Sequence, residues 1–212
     1  IIAFAGAGKT ATLKYVAEAL SDKKIMYLAF NRVIAKEAES KMPSNVVCKT
    51  FHSCAYSEMP DWIKQRIQKK TALNYSKLMK IVSSHKYSEV IKIYVESQSS
   101  TTKYRLKYDD DLRKHYYTYR VTPRDSIGLV NKGLSYFYKS LDEDPGVEHA
   151  LKAWIDMIGP DFARQPDTAK WVALVLDGMK KILARNMDQS LDDKINNSHD
   201  FYLKYWQLQK AQ

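Results

Sequence analysis

Only two cysteines, Cys48 and Cys54, occur in 212 residues, too few for a disulfide framework. Together with His52 they would crowd three ligands onto one strand end, which is no tetrahedral zinc site, so reduced intracellular thiols are the expectation. His85, His115, His149 and His199 show no metal-ligand spacing, and no Ser/His/Asp or Cys/His arrangement argues for a nucleophile. No apolar run reaches the roughly 18 residues that a membrane-spanning helix needs. Internal repeats and low-complexity tracts are absent, and the visible start has no basic-then-apolar signal. Acidic residues are in short supply. Lys and Arg outnumber Asp and Glu by 34 to 24, giving a formal charge of +10 and a pI near 9.4, which favours polyanionic partners unless acidic regions elsewhere restore the balance.

What is present begins with Ala5-Gly6-Ala7-Gly8-Lys9-Thr10, entered from the apolar run Ile1-Ile2-Ala3-Phe4 and followed by a helical pattern. A Gly-rich turn between strand and helix points consecutive backbone N–H groups at phosphate oxygens, and the helix N-terminus adds its positive dipole end. Lys9 would reach the β/γ-phosphates and the Thr10 hydroxyl would hold Mg²⁺, so Ala5 to Thr10 form the expected site for ATP and its metal. Ala3 stands where the general pattern has Gly, the smallest departure available.

Leu13, Val16, Ala17 and Leu20 recur at helical spacing and predict a helix that lays one stripe on a sheet. Ile25 to Phe30 reads as a strand buried on both faces, Val33 to Met42 as a helix stopped by Pro43, and Val46 to Thr50 as a third strand. This order opens a parallel α/β domain, whose ligands bind at the carboxyl ends of the strands. Phe30-Asn31-Arg32 and Thr50-Phe51-His52-Ser53 close two of those strands. Rings that stack on bases, beside a cation, an amide and hydroxyls for phosphates, suit single-stranded nucleic acid.

At this spacing the three segments resemble motifs I, Ia and Ib of superfamily 1A DNA helicases of the UvrD/Rep/PcrA type, in which Ala in place of the first loop Gly is usual. Tyr27 to Tyr56, with LAFNRVIAKEAESKMPSNVVCKTFHSCAY, looks most like the eukaryotic F-box DNA helicase branch. Ser198-His199-Asp200-Phe201-Tyr202-Leu203-Lys204-Tyr205-Trp206-Gln207 is similar to the segment just before motif II in that branch. The resemblance implies an incomplete P-loop NTPase (RecA-like) parallel sheet with a mostly α-helical inserted subdomain. Residues 1–59 would be the first part of RecA-like domain 1A, 60–197 the insertion 1B, and 198–212 the return toward a Walker B strand. It implies a 3′ to 5′ DNA helicase using ATP and Mg²⁺ in nuclear DNA repair or recombination. Catalytic roles fall on Lys9 and Thr10, DNA contacts on Phe30, Asn31, Arg32, Thr50, Phe51 and His52, and F-box-type protein partners on regions outside these residues.

The family's glutamine motif, its Walker B Asp-Glu pair and its later arginines are not found in the chain, which reads as truncated at both ends. Asp109-Asp110-Asp111 lacks an apolar strand and reads as a solvated turn. Leu174-Val175-Leu176-Asp177 has an apolar run, but Trp171, Leu174, Val175, Met179, Ile182 and Leu183 fall on one helix face. Between Pro60 and Asn197 the chain is rich in Lys, Tyr and helical patterns. Tyr116-Tyr117-Thr118-Tyr119-Arg120 and Tyr136-Phe137-Tyr138-Lys139 interleave rings with cations, as a strand-binding groove could, although Tyr stripes at helical spacing are more often half-buried packing. Asp142 to Gly146, Gly159-Pro160 and Gln165-Pro166-Asp167 read as breaks between helices. Two rivals stay open. A P-loop small-molecule kinase needs a lid with catalytic Arg and an acceptor pocket, and a non-catalytic ATP- or DNA-binding module needs neither.

Overall fold

The computed structural model describes residues 8–67, 75–82, 89–95, 105–160, 165, 167–190 and 199–210. The fold is mixed α/β with a helical majority. It divides into two compact units, Ile1–Lys64 with Tyr205–Gln212, and Gln65–Lys204.

The first unit contains α1 (Lys9–Ala19), β1 (Ile25–Ala29), α2 (Arg32–Glu39), β2 (Val46–Thr50) and α3 (Phe51–Glu58). β1 and β2 pair in parallel from Ile25↔Val46 to Ala29↔Thr50. α2 buries its small residues Ala35 and Ala38, and its apolar periodicity is sharp because charged and polar residues fill the remaining face. The helix stops at Glu39, short of the expected Met42. A residue that precedes proline is pushed out of the α region, and Lys41 and Met42 instead bond back to the Ala38 carbonyl as the chain turns into Pro43. Asn45 ties the layer together: its side-chain amide donates to the carbonyls of Ala17, Leu20 and Lys23, at 3.0, 3.0 and 3.1 Å.

Two expectations for this unit fail in the same way. β1 is not buried on both faces. Met26 and Leu28 are exposed on one side while Ile25 and Tyr27 are half-buried on the other. In α1 only Ala17 is buried, and Leu13, Val16 and Leu20 remain exposed. A parallel strand reads as continuously apolar because layers are meant to cover both faces. Among the described residues the sheet has two strands, and these side chains have no such layer over them.

The second unit contains α5 (Tyr75–Val82), β3 (Glu89–Val95), β4 (Lys107–Asp109), β5 (Lys114–Val121), α6 (Pro123–Tyr138), α7 (Val147–Ile158) and α8 (Thr168–Met187). α4 (Asp61–Ile67) and α9 (His199–Lys210) each begin in one unit and end in the other. Trp154 of α7 stacks on Trp171 of α8 with centroids 5.3 Å apart and an interplanar angle of 16°, both fully buried. α6 and α8 approach so closely that a Cβ on Gly178 would lie 2.7 Å from a Val130 methyl, so the glycine is a packing requirement. α6 starts on a complete capping box: the Thr122 hydroxyl accepts from the Asp125 N–H, the Asp125 carboxylate accepts from the Thr122 N–H, and Pro123 fills the first turn.

The second unit also corrects the sequence reading. Tyr116 to Arg120 lie in β5, the centre of a three-stranded antiparallel sheet ordered β3-β5-β4. β-branched and aromatic residues at period two favour a half-buried pleated surface, which outweighed the helical look of the surrounding Lys- and Tyr-rich sequence. Asp109 is the last residue of β4 rather than part of a solvated turn. Its carboxylate accepts from the Tyr94 hydroxyl at 2.8 Å, the Leu112 N–H at 3.2 Å and Lys92 at 3.2 Å. These bonds, the Tyr94 hydroxyl foremost, hold its pKa below the ordinary aspartate value. Asp177 sits on an exposed face of α8 and pairs with Lys181, while Trp171, Val175, Met179, Ile182 and Leu183 form the buried stripe.

Candidate phosphate and nucleic-acid interface

Gly8 caps the start of α1 with φ 75° and ψ 17°, a left-handed conformation that an L side chain rarely adopts. Its carbonyl accepts from the Thr12 N–H at 2.9 Å and the Thr12 hydroxyl at 3.2 Å. No side chain caps this helix. The first-turn amides of an α-helix have no partner within the helix, and here they open beside the exposed side chains of Lys9 and Thr10. Ala5, Gly6 and Ala7 lie outside the described residues.

The other two segments meet through sheet register. Because Ala29 is paired with Thr50, the residues that follow each strand emerge side by side at one carboxyl edge, about 5 Å apart in the pairing direction. Phe30 is 90% exposed and Phe51 52% exposed, so two rings stand in solvent at the edge of one sheet. Arg32 and His52, in the first turns of α2 and α3, are exposed as well.

Asn31 and Thr50 carry structural duties that the sequence did not reveal. Asn31 is the N-cap of α2, its side-chain oxygen accepting from the Ile34 N–H at 2.9 Å. Thr50 caps α3 in a reciprocal box, its hydroxyl accepting from the Ser53 N–H at 3.1 Å while the Ser53 hydroxyl accepts from the Thr50 N–H at 3.0 Å. Both caps have extended backbone and sit where strand gives way to helix, next to the exposed Phe30 and Phe51. The oxygen of Asn31 is thereby occupied, and its NH₂ group is the part that remains for a ligand.

Cys48 and Cys54 are free thiols. Burial, then the nearby Glu39 charge, pushes the Cys48 thiol above its ordinary pKa, which favours the unreactive protonated form. One cluster escaped the sequence reading: ligand atoms of Asp142, Glu148 and His149 lie within 4.8 Å of one another. His149 Nδ1 accepts from the Gly146 N–H at 3.0 Å and Nε2 lies 3.1 Å from an Asp142 carboxylate oxygen, so both ring nitrogens serve the start of α7. The Lys204 ammonium, donating to the Ser140 and Asp142 carbonyls, adds a positive charge to the same loop. The arrangement is a capping network rather than a cation site.

No family model matches the chain, and no solved structure matches it. Among curated proteins, the chain is 31% identical over 215 aligned residues, its entire length, to F-box DNA helicase 1 of Gallus gallus. This chain resembles an F-box DNA helicase from end to end. A local match of 46% identity over 54 residues, 26% of the chain, is to F-box DNA helicase protein 1 of Schizosaccharomyces pombe. The chain spans 18% of the length of the chicken helicase, and the yeast match covers 6% of the yeast protein. No helix among the described residues is long and apolar enough to cross a membrane.

Proposed function

We propose that this chain carries the phosphate-binding loop and part of the single-stranded DNA track of an ATP-dependent 3′ to 5′ DNA helicase acting in nuclear repair or recombination. The observation that carries the reading is Gly8, held left-handed at the mouth of α1 directly before Lys9 and Thr10. α1 ends at the amino edge of the strands, where Asn45 bonds Ala17 and Leu20. Eleven helical residues and five strand residues each span about 16 Å, so an α1 running back along the sheet brings Lys9 and Thr10 to the edge that bears Phe30 and Phe51. In this reading the first unit is the opening of a RecA-like domain 1A and the second is its insertion 1B.

The site suits ATP and Mg²⁺. The Gly6 to Thr10 amides would cradle phosphates, Lys9 would neutralise the γ-phosphate and Thr10 would offer its hydroxyl to the metal; among the described residues nothing lies within 4 Å of where a Cβ on Gly8 would stand. Bound Mg²⁺ supplies charge neutralisation to the phosphates. Phe30 and Phe51 offer ring faces to bases, and Arg32, His52 and the Asn31 NH₂ group face the strand.

Titration calorimetry of Mg·ATP against wild type and Lys9→Ala tests the first half. Binding is expected to disappear in the variant, and equal affinities in two folded proteins would defeat the assignment. Residues 1–212 are expected to hydrolyse ATP no faster than Lys9→Ala, because no water-orienting carboxylate pair is recognised in the chain. Turnover that Lys9→Ala abolishes would place such a carboxylate within this sequence. For DNA, Phe51→Ala with His52→Ala is expected to weaken single-strand binding by about 1–3 kcal/mol.

A further inference from the structure

The antiparallel sheet of the second unit is two-faced. Ile91, Ile93, Val95, Tyr117 and Val121 are buried. On the opposite face the register aligns Val90 with Arg120, Lys92 with Thr118, Tyr94 with Tyr116, Lys107 with Tyr116, and Asp109 with Lys114. Among the described residues, four cations, Lys92, Lys107, Lys114 and Arg120, therefore share one surface with a single carboxylate, Asp109. That carboxylate is already spent on Lys92 and Tyr94. Of the other described acids near the sheet, Asp110 and Asp111 sit in the turn beyond the strand ends, and Glu89 is paired with Lys170 at 2.6 Å.

We infer that the outward face of β3-β5-β4 is a second nucleic-acid surface, one that grips the phosphodiester backbone without reading bases. The rings on this face are committed. Lys92 lies 4.8 Å over the Tyr116 ring, Tyr94 packs against Tyr116 at 5.6 Å, and the Tyr94 hydroxyl is held by Asp109. A base would have to displace Lys92 to stack on Tyr116, whereas phosphates need only approach the exposed Lys107, Lys114 and Arg120. Lys114 and Arg120 are six residues apart on one strand, about 20 Å, and the Thr118 hydroxyl lies between them on the same face. An apolar-aromatic floor with a cationic rim complements a polyanion and offers nothing to a neutral peptide.

The inference stands independently of the nucleotide site and of the Phe30/Phe51 edge. The test is anisotropy of a labelled single-strand–duplex junction, as DNA and as RNA, titrated against the full chain across a salt series. Lys107→Gln, Lys114→Gln and Arg120→Gln are combined, and a control of equal net charge carries Lys23→Gln, Lys24→Gln and Lys41→Gln. The face variant is expected to lose at least about tenfold in affinity at low salt and to flatten the log K against log salt slope by about 2 to 3, while the control shifts by less than about twofold. Circular dichroism confirms that each variant is folded, and Lys107→Arg with Lys114→Arg is expected to restore binding in the presence of native Arg120. Equal losses in face variant and control, or an unchanged slope, overturn the inference. Loss in Phe51→Ala with His52→Ala but not in the face variant removes this surface and leaves the proposed function standing; the reverse removes the single-strand track and leaves this surface.

Discussion

The two units handle their apolar residues in opposite ways. In the second, large side chains such as Trp154, Trp171, Phe137 and Ile91 are fully buried, and glycines let helices close to contact. In the first, most buried residues are small, Ala17, Ala29, Ala35, Ala38 and Ala55, with Met59 and Ile63 the larger exceptions, while Leu13, Met26, Leu28, Phe30, Val33 and Val47 stand exposed. The second unit therefore draws stability from jigsaw packing, where a missing side chain leaves a cavity. The first is held by backbone pairing, caps and Asn45, and no described residue covers its exposed apolar side chains.

The largest test of that contrast is Trp171→Ala, expected to cost about 3–5 kcal/mol in denaturant unfolding because the ring stacked on Trp154 leaves a void, whereas Phe30→Ala is expected to stay within about 0.5 kcal/mol. Comparable losses would abolish the distinction. Gly178→Ala sharpens it: the added methyl meets Val130 and α6 must shift, at an expected cost of about 1–3 kcal/mol. In the first unit Asn45→Ala removes the donor to three carbonyls, with an expected loss of about 1–2 kcal/mol by the same measurement.

The smallest effect is one of pH. Bonds from Tyr94, Leu112 and Lys92 depress the Asp109 pKa in the folded protein, so the unfolded chain takes up this proton first. Its contribution is present above the ordinary aspartate range, near about 3.9, and fades as pH falls through the lower folded value. Asp109→Asn is expected to flatten the acid limb of a stability profile slightly, and an unchanged limb would show that the hairpin contact is immaterial.

Much of the first unit was legible because its signals are local. The run Val46 to Thr50, the break at Pro43 and the glycine before Lys9 each depend on residues within a few positions of one another, and each forms the element or turn that these neighbours favour. The ring-bearing segments Phe30 and Phe51 were read as nucleic-acid contacts, and both rings are exposed. Their neighbours Asn31 and Thr50 were read only as ligand contacts, since an N-cap and a polar contact use the same residue types. In the second unit the helix face of Trp171, Val175 and Met179 was readable from period alone. β5 was not, because Tyr-Tyr-Thr-Tyr-Arg is ambiguous until β3 and β4 pair with it.

By itself, then, the sequence determined the glycine turn before Lys9, the break at Pro43, the buried stripe of α8, the basic charge and the helicase resemblance, all properties of neighbouring residues or of simple composition. Tertiary structure alone decided which faces are covered. Strand register sets Phe30 beside Phe51, folds Asp109 onto Tyr94 and gathers Lys107, Lys114 and Arg120 on one surface. The physical reason is that burial and charge clustering depend on pairing between segments distant in the chain, and a one-residue change of register would turn every one of these side chains to the opposite face.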